Sequence, residues 1–350
     1  MNKLPTLSIL LNTAREDFSL VGLPETFLFS PTILSLNKQE LQNFELVIVD
    51  ACYSIEREHW LREHAVFPFK YLPALPNRFL EKGMCAIASM KNLGLKFAEG
   101  ELVVFIDDCC HFPAWWTQRI SDWFQRGYWP MSLTYYYESG QPKLLGKSTK
   151  YVENFYGKDY DKEANLHVYI KKGEVVRDSR ADFVNAHGTV NAPGRWGYGG
   201  SSASLESLLR INGTDERFDS VKGLEDVDTF LRLEQAGYKG LFLLDPNLWH
   251  VENWHKSLSS KVLFYSGSTN HCNYGLLQYN QLKAEFRANT KILTRQDCEF
   301  IRNHVCPNCD NLQRCKNEEF KGKFFIECEG FEYWLTHQRT FDLREDRLNI

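Results

Sequence analysis

Leu102-Val103-Val104-Phe105-Ile106-Asp107-Asp108 is the stretch that decides the fold. A short unbroken apolar run rich in β-branched residues reads as a strand buried on both faces, as in a parallel sheet, and this one stops at two carboxylates. The shape recurs twice upstream: Leu7 to Leu11 ends at Asn12-Thr13, and Phe44 to Val49 ends at Asp50. Between the second and third runs, Ala86, Met90, Leu93 and Phe97 recur at helical spacing, and Glu99-Gly100 marks a helix stop. Strand, helix, strand in this order predicts a βαβ unit, so the expected class is α/β with a sheet flanked by helices. Ligands of such sheets bind beyond the carboxyl ends of the strands. Thr13, Arg15, Asp50, Asp107 and Asp108 all fall there.

Further along, Tyr128 to Gly194 reads as surface strands and loops. Order returns at Gly197-Tyr198-Gly199-Gly200-Ser201. A short helix is expected over Leu205 to Ile211, capped by Ser204 and stopped by Asn212-Gly213. Gly223-Leu224-Glu225-Asp226 opens another helix, Val227 to Ala236, closed by Gly237. Leu241 to Leu244 is then a strand leading to His250. From about Lys291 the chain is richer in charge and cysteine. The expected organisation is therefore a main domain over 1–290 and a small module over 291–350.

Composition narrows the function classes. The 350 residues carry 41 Lys+Arg against 45 Asp+Glu, a net charge of -4, which lacks the basic excess of a protein held to nucleic acid by phosphate contacts. No apolar stretch approaches the roughly 20 residues of a membrane span, and no secretory leader pattern opens the chain. Ten scattered cysteines then read as reduced thiols or metal ligands rather than a disulfide framework, and the expected location is cytoplasmic.

Asp107-Asp108 places two repelling carboxylates at a strand end, either as an ordinary Asp turn or as hard oxygen ligands for Mg²⁺ or Mn²⁺ beside diphosphate oxygens. Glu225-Asp226 sits at a helix start, where the macrodipole favours acids. It also suits a general base that takes a proton from an attacking hydroxyl. His250 is either a metal ligand or a buried structural residue beside Trp249.

Taken in order, these signals resemble the inverting glycosyltransferases of the GT-A fold, in particular the large family 2 group, over Leu7 to Glu252. Asn12-Thr13-Ala14-Arg15 stands at the family's first strand end, and Asp50 at the Asp that contacts the nucleotide base. Ser89-Met90-Lys91-Asn92-Leu93-Gly94 is similar to the helical Ala-Arg-Asn-x-Gly motif, with Lys91 for the Arg. Asp107-Asp108-Cys109 stands at the metal motif. Gly199-Gly200-Ser201 and Gly213 to Phe218 resemble the acceptor-side segments, and Glu225-Asp226 to Gly237-Tyr238 is the closest match.

The resemblance implies transfer of a sugar from a nucleoside-diphosphate sugar, UDP favoured, to an acceptor hydroxyl by metal-assisted direct displacement. It makes Asp226 the base, with Glu225 beside it. It assigns the donor nucleotide to Thr13, Arg15, Asp50, Lys91 and Asp107, and the metal to Asp108 and His250, with Asp107 and Asp108 exchangeable. The acceptor side falls to Trp196, Gly199 and Gly200. Ala51 replaces the second Asp of the usual strand-end pair, which leaves the base open.

In the tail, Cys306-Pro307-Asn308-Cys309 with Cys315 and Cys328 can close a structural Zn²⁺ site. An iron–sulfur cluster, with Cys298 or His304 replacing one ligand, and unrelated thiols are the other readings. Two further functions stay open: nucleotidyl transfer on a related scaffold, and non-catalytic binding of a nucleotide or glycan. The acceptor is a glycan, lipid-linked group, protein, small molecule or modified nucleic acid.

Overall fold

The computed structural model describes residues 6–14, 29–74, 86–108, 110–137, 175–176, 180, 190–191, 197, 199–219, 223–253, 271–308 and 338–348. Its strands are β1 (Leu7–Thr13), β2 (Phe44–Asp50), β3 (Phe69–Pro73), β4 (Leu102–Ile106), β5 (Cys110–His111), β6 (Trp129–Tyr137), β7 (Val175–Val176), β8 (Val190–Asn191), β9 (Ser202–Ser204) and β10 (Phe242–Asn253). The helices are α1 (Ser30–Leu36), α2 (Ile55–His64), α3 (Ile87–Phe97), α4 (Trp116–Gln125), α5 (Leu205–Arg210), α6 (Glu225–Gln235), α7 (His271–Lys283), α8 (Arg295–Phe300) and α9 (Leu343–Leu348).

The first sheet runs β3-β2-β1-β4-β9, parallel throughout except for β9. The α/β class expected from the apolar runs is the one observed. Leu7, Ile9, Leu10 and Leu11 of β1 have no exposed surface, nor have Leu46, Val47, Ile48 and Val49 of β2. Helices and neighbouring strands cover both faces, which is why these strands are apolar without alternation. Each such side chain contributes about 1.5–3 kcal/mol of burial, so the central strands form the rigid frame.

A second sheet is built on the parallel pair β6–β10, with β5 and β8 antiparallel to β10 and β7 antiparallel to β6. The two sheets are stitched at the end of β4. Gly200 donates its N–H to Phe105 O at 2.8 Å, Phe105 to Ser201 O at 2.9 Å, and Ser132 to Gly200 O at 2.8 Å.

Helix starts follow local chemistry. Ser204 caps α5 through Ser207 N, as its sequence predicts, and Asn212 and Gly213 end it with positive φ. Helix α6 begins two residues earlier than the apolar pattern indicates, at Glu225.

The described parts of 291–350 share cores with what precedes them. Cys298, Ile301 and Val305 pack with Phe218, Leu276 and Tyr279, and Leu343 of α9 is buried in the main core. Arg339 pairs with Glu216 at 2.9 Å. Among the described residues, no helix is long and apolar enough to cross a membrane.

Candidate active site

Parallel pairing puts the ends of β1, β2 and β4 on one edge, with Thr13 beside Asp50 in register. There the two adjacent aspartates part. Asp108 is 4% exposed and accepts a hydrogen bond from Thr13 Oγ1 at 2.8 Å, whereas Asp107 is exposed. One carboxylate thus locks β1 to β4, and the other stands exposed beside Gly199.

Gly199 and Gly200 form one wall. A Cβ on Gly199 would lie 2.4 Å from Asp107 Oδ2, and one on Gly200, whose φ is +80°, would lie 2.6 Å from both His250 Cε1 and Ser132 O. Only residues without a side chain let the backbone pass between these groups. Fully buried Arg180 clamps this wall, donating to Gly199 O and Ser132 O at 2.9 Å each and to Ser201 Oγ at 3.2 Å. No motif or periodicity singles out Arg180, which lies within a stretch that carries no regular pattern.

The opposite wall is the start of α6. Gly223 (φ +100°) and Leu224 (φ +72°) turn the chain into the helix, and a left-handed leucine is a strained choice, worth roughly 1–2 kcal/mol. Glu225 pairs with Lys91 Nζ of α3 at 3.1 Å, and Lys91 also stands 5.7 Å from the centre of the Phe105 ring. Burial pushes the Asp226 carboxyl up, Glu225 and Asp107 add to this, and Lys91 with the Val227 N–H opposes it. The result is about 7. For Lys91, burial favours the neutral amine, but Glu225, Asp226 and Asp107 outweigh it and hold the ammonium above its usual range. Asp107, Glu225, Asp226 and Lys91 thus form one electrostatic cluster, drawn from β4, α6 and α3.

Buried hydrogen bonds fix α3 and α6 relative to each other. Asp219 accepts from Ala88 N and Ser89 N at 2.8 and 3.1 Å, capping α3 where its own first residue offers no side-chain cap. Asn92 exchanges two 2.8 Å bonds with the Thr214 backbone. Behind α6, Arg232 bonds Asp228 at 2.6 Å and Asp215 at 2.8 Å. Arg217 and Asn280 complete that network.

Two other expected site residues turn inward, into the core. Asp50 is fully buried, with its carboxylate engaged by Arg57 Nη1 at 2.6 Å, Tyr71 Oη at 2.8 Å and Cys52 N at 2.7 Å. It braces β2 to α2 and β3 instead of facing the crevice. His250 is also fully buried, against the adjoining rings of Phe112 and Trp116, with Nδ1 2.8 Å from Ser132 Oγ and Nε2 3.3 Å from Thr134 Oγ1. Arg15 and Trp196 lie outside the described residues, as do Cys309, Cys315 and Cys328. Cys306 is half-buried, and Gly275 packs against its sulfur.

Among the described residues, no group of three or more His, Cys, Asp or Glu gathers as metal ligands. A Mg²⁺ or Mn²⁺ held by one carboxylate together with substrate phosphates and water needs no such cage, and exposed Asp107 fits that donor set.

No known protein-family profile matches the sequence, and no curated protein does. Solved structures of S. aureus TarS are similar at low identity. The chain aligns with TarS at 12% identity and a TM-score of 0.47, over 91% of this chain and 45% of that one, so it spans less than half of that chain's length. TarS 1-349 in complex with UDP gives 13% identity and 0.44, over 94% and 75%. The complex of TarS 1-349 with UDP-GlcNAc gives 12% and 0.48, over 95% and 79%.

Proposed function

We propose that this chain is an inverting glycosyltransferase that moves a hexosyl or N-acetylhexosaminyl group from a nucleoside-diphosphate sugar, UDP-linked in preference, to an acceptor hydroxyl. The observation that carries the reading is the meeting of Asp107 and Asp226. They are far apart in sequence, one following β4 and the other in the first turn of α6, and the Asp107 charge acts on Asp226. A carboxyl near 7 is poised between holding and releasing a proton at neutral pH, which is what a general base for a hydroxyl requires.

Asp226 accepts the acceptor's proton as the oxygen attacks the anomeric carbon. Lys91, paired with Glu225, opposes the rise that burial and the Glu225 charge impose on Asp226, and together they set its basicity. Thr13 and Asp108 lock β1 to β4, and this fixes the direction in which Asp107 points. Asp107 would hold Mg²⁺ or Mn²⁺, which when bound neutralises the leaving diphosphate. In this assignment the roles of the two aspartates are exchanged relative to the first expectation. Inversion by direct displacement needs no protein nucleophile, and none is assigned.

A thermal-shift panel of UDP, GDP, CDP, TDP and their sugars, with and without Mn²⁺, tests the donor site on wild type and Asp107→Asn. Metal-dependent stabilisation by one nucleotide, lost in the variant, supports the reading. A flat response from folded wild-type protein refutes it.

A further inference from the structure

Two hydrogen-bond chains meet at His250, and their directions follow from groups that act in only one sense. The Trp116 indole N–H is purely a donor and reaches Ser132 Oγ at 2.9 Å. Ser132 Oγ in turn lies 2.8 Å from His250 Nδ1. If Nδ1 carried the proton, buried Ser132 would accept twice and its own O–H would have no acceptor among the described residues, an arrangement that burial penalises. On the other side, Thr134 Oγ1 donates to Gly199 O at 3.3 Å and lies 3.3 Å from Nε2. With Nδ1 accepting from Ser132, the ring carries its hydrogen on Nε2, which faces Thr134 Oγ1. The chain then runs in one sense: Trp116 to Ser132 to Nδ1, and Nε2–H to Thr134 to Gly199.

We infer that His250 is a positioning residue, an imidazole protonated on Nε2 alone, which holds the Gly199–Gly200 turn against Asp107 and binds no metal. Steric contact acts with the hydrogen bonds. The ring's Cε1 fills the space beside Gly200, and Gly199 packs on the Asp107 carboxylate. The Nδ1 lone pair is directed at Ser132 and Nε2 carries a hydrogen, so neither nitrogen offers a lone pair to a cation. The consequence for sugar transfer rests on the function proposed above, but the tautomer does not.

The test is ¹⁵N-edited NMR of the histidine rings in wild-type protein at neutral pH. His250 is assigned through contacts from the Phe112 and Trp116 rings, and spectra are taken before and after Mg²⁺ and then Zn²⁺. A hydrogen on Nε2 and a bare Nδ1, both unchanged in either metal, are expected. A hydrogen on Nδ1, hydrogens on both nitrogens, or loss of the Nε2 hydrogen or a direct nitrogen–metal bond on adding metal overturns the inference, whether or not the protein transfers sugar. As a positioning test, Thr134→Val and His250→Ala each weaken metal-dependent nucleotide binding by about tenfold, and His250→Gln, which can accept from Ser132 and donate to Thr134, recovers most of the loss. Equal losses in His250→Gln and His250→Ala, with all variants folded, would overturn the positioning role. If no nucleotide binds wild type at all while the Nε2 tautomer is found, the transfer reading fails by itself.

Discussion

Helix α6 carries two charge clusters, one at its first turn and one along its buried face, and they are balanced differently. On that face, Asp215 and Asp228 meet Arg217 and Arg232, two carboxylates for two guanidiniums, with Asn280 filling the remaining bonds. At its start, among the described residues, Asp107, Glu225 and Asp226 meet the Lys91 ammonium. Burial would raise Asp215, but the Arg217 and Arg232 guanidiniums prevail and hold it far below the usual carboxylate range. Burial raises Asp226 as well, and there Lys91 does not prevail. A compensated cluster of buried charge holds a fold in place. An undercompensated one keeps an affinity for a proton or a cation, which is a chemical capacity.

The contrast can be broken from either side. The largest effect is expected from Asp226→Asn, which removes the base while keeping the shape. Transfer should fall about 10³- to 10⁴-fold in kcat with the protein still folded, measured by release of nucleoside diphosphate. Arg232→Met attacks the balanced side, strips buried Asp228 of its guanidinium and leaves Asp215 with Arg217. It should cost about 3–4 kcal/mol in urea unfolding, and a loss below about 1 kcal/mol would mean the network does not hold α6.

The two sides should also differ in pH dependence. A carboxyl raised from an ordinary 3.8 to about 7 binds more protons folded than unfolded in that interval, so its contribution to stability falls as pH rises through it. Asp226→Asn should therefore gain on wild type by of order 2 kcal/mol at pH 8 and by almost nothing at pH 4, read from unfolding curves at both. The smallest shift is expected from Lys91→Met. Without the opposing cation the base moves upward, and the rising limb of the kcat/KM profile should move to higher pH by about one unit, or about 1.4 kcal/mol. An unmoved limb would separate Lys91 from Asp226.

The frame of the site was legible in the sequence because strand ends and helix starts are local. The apolar runs located β1, β2 and β4, and Ser204 located α5. Asp107, after Ile106, and the acidic pair after Leu224 come together in the structure as one electrostatic cluster. What was not legible depends on tertiary contact. Asp50 looked identical in kind to Asp107, a carboxylate after an apolar strand, yet Arg57 and Tyr71 draw it inward. Pairing of Lys91 with Glu225 joins residues with no periodic relation. The early start of α6 was hidden because Leu224 takes a backbone conformation that its side chain disfavours. Asp107 and Asp108 could not be ranked before it was known which of them Thr13 reaches.

The Arg339–Glu216 pair, together with the burial of Leu343 beside Asn212, has a consequence for how the protein is made. The partners in that pair are separated by 123 residues. At roughly 5–20 residues per second, the ribosome supplies the later partner about 6–25 seconds after the earlier one. Until then Glu216, Asn212 and the floor beneath Asn92 wait without their cover. A nascent chain therefore assembles both walls of the crevice before it has the brace beneath them, and in that interval it offers chaperones an open core.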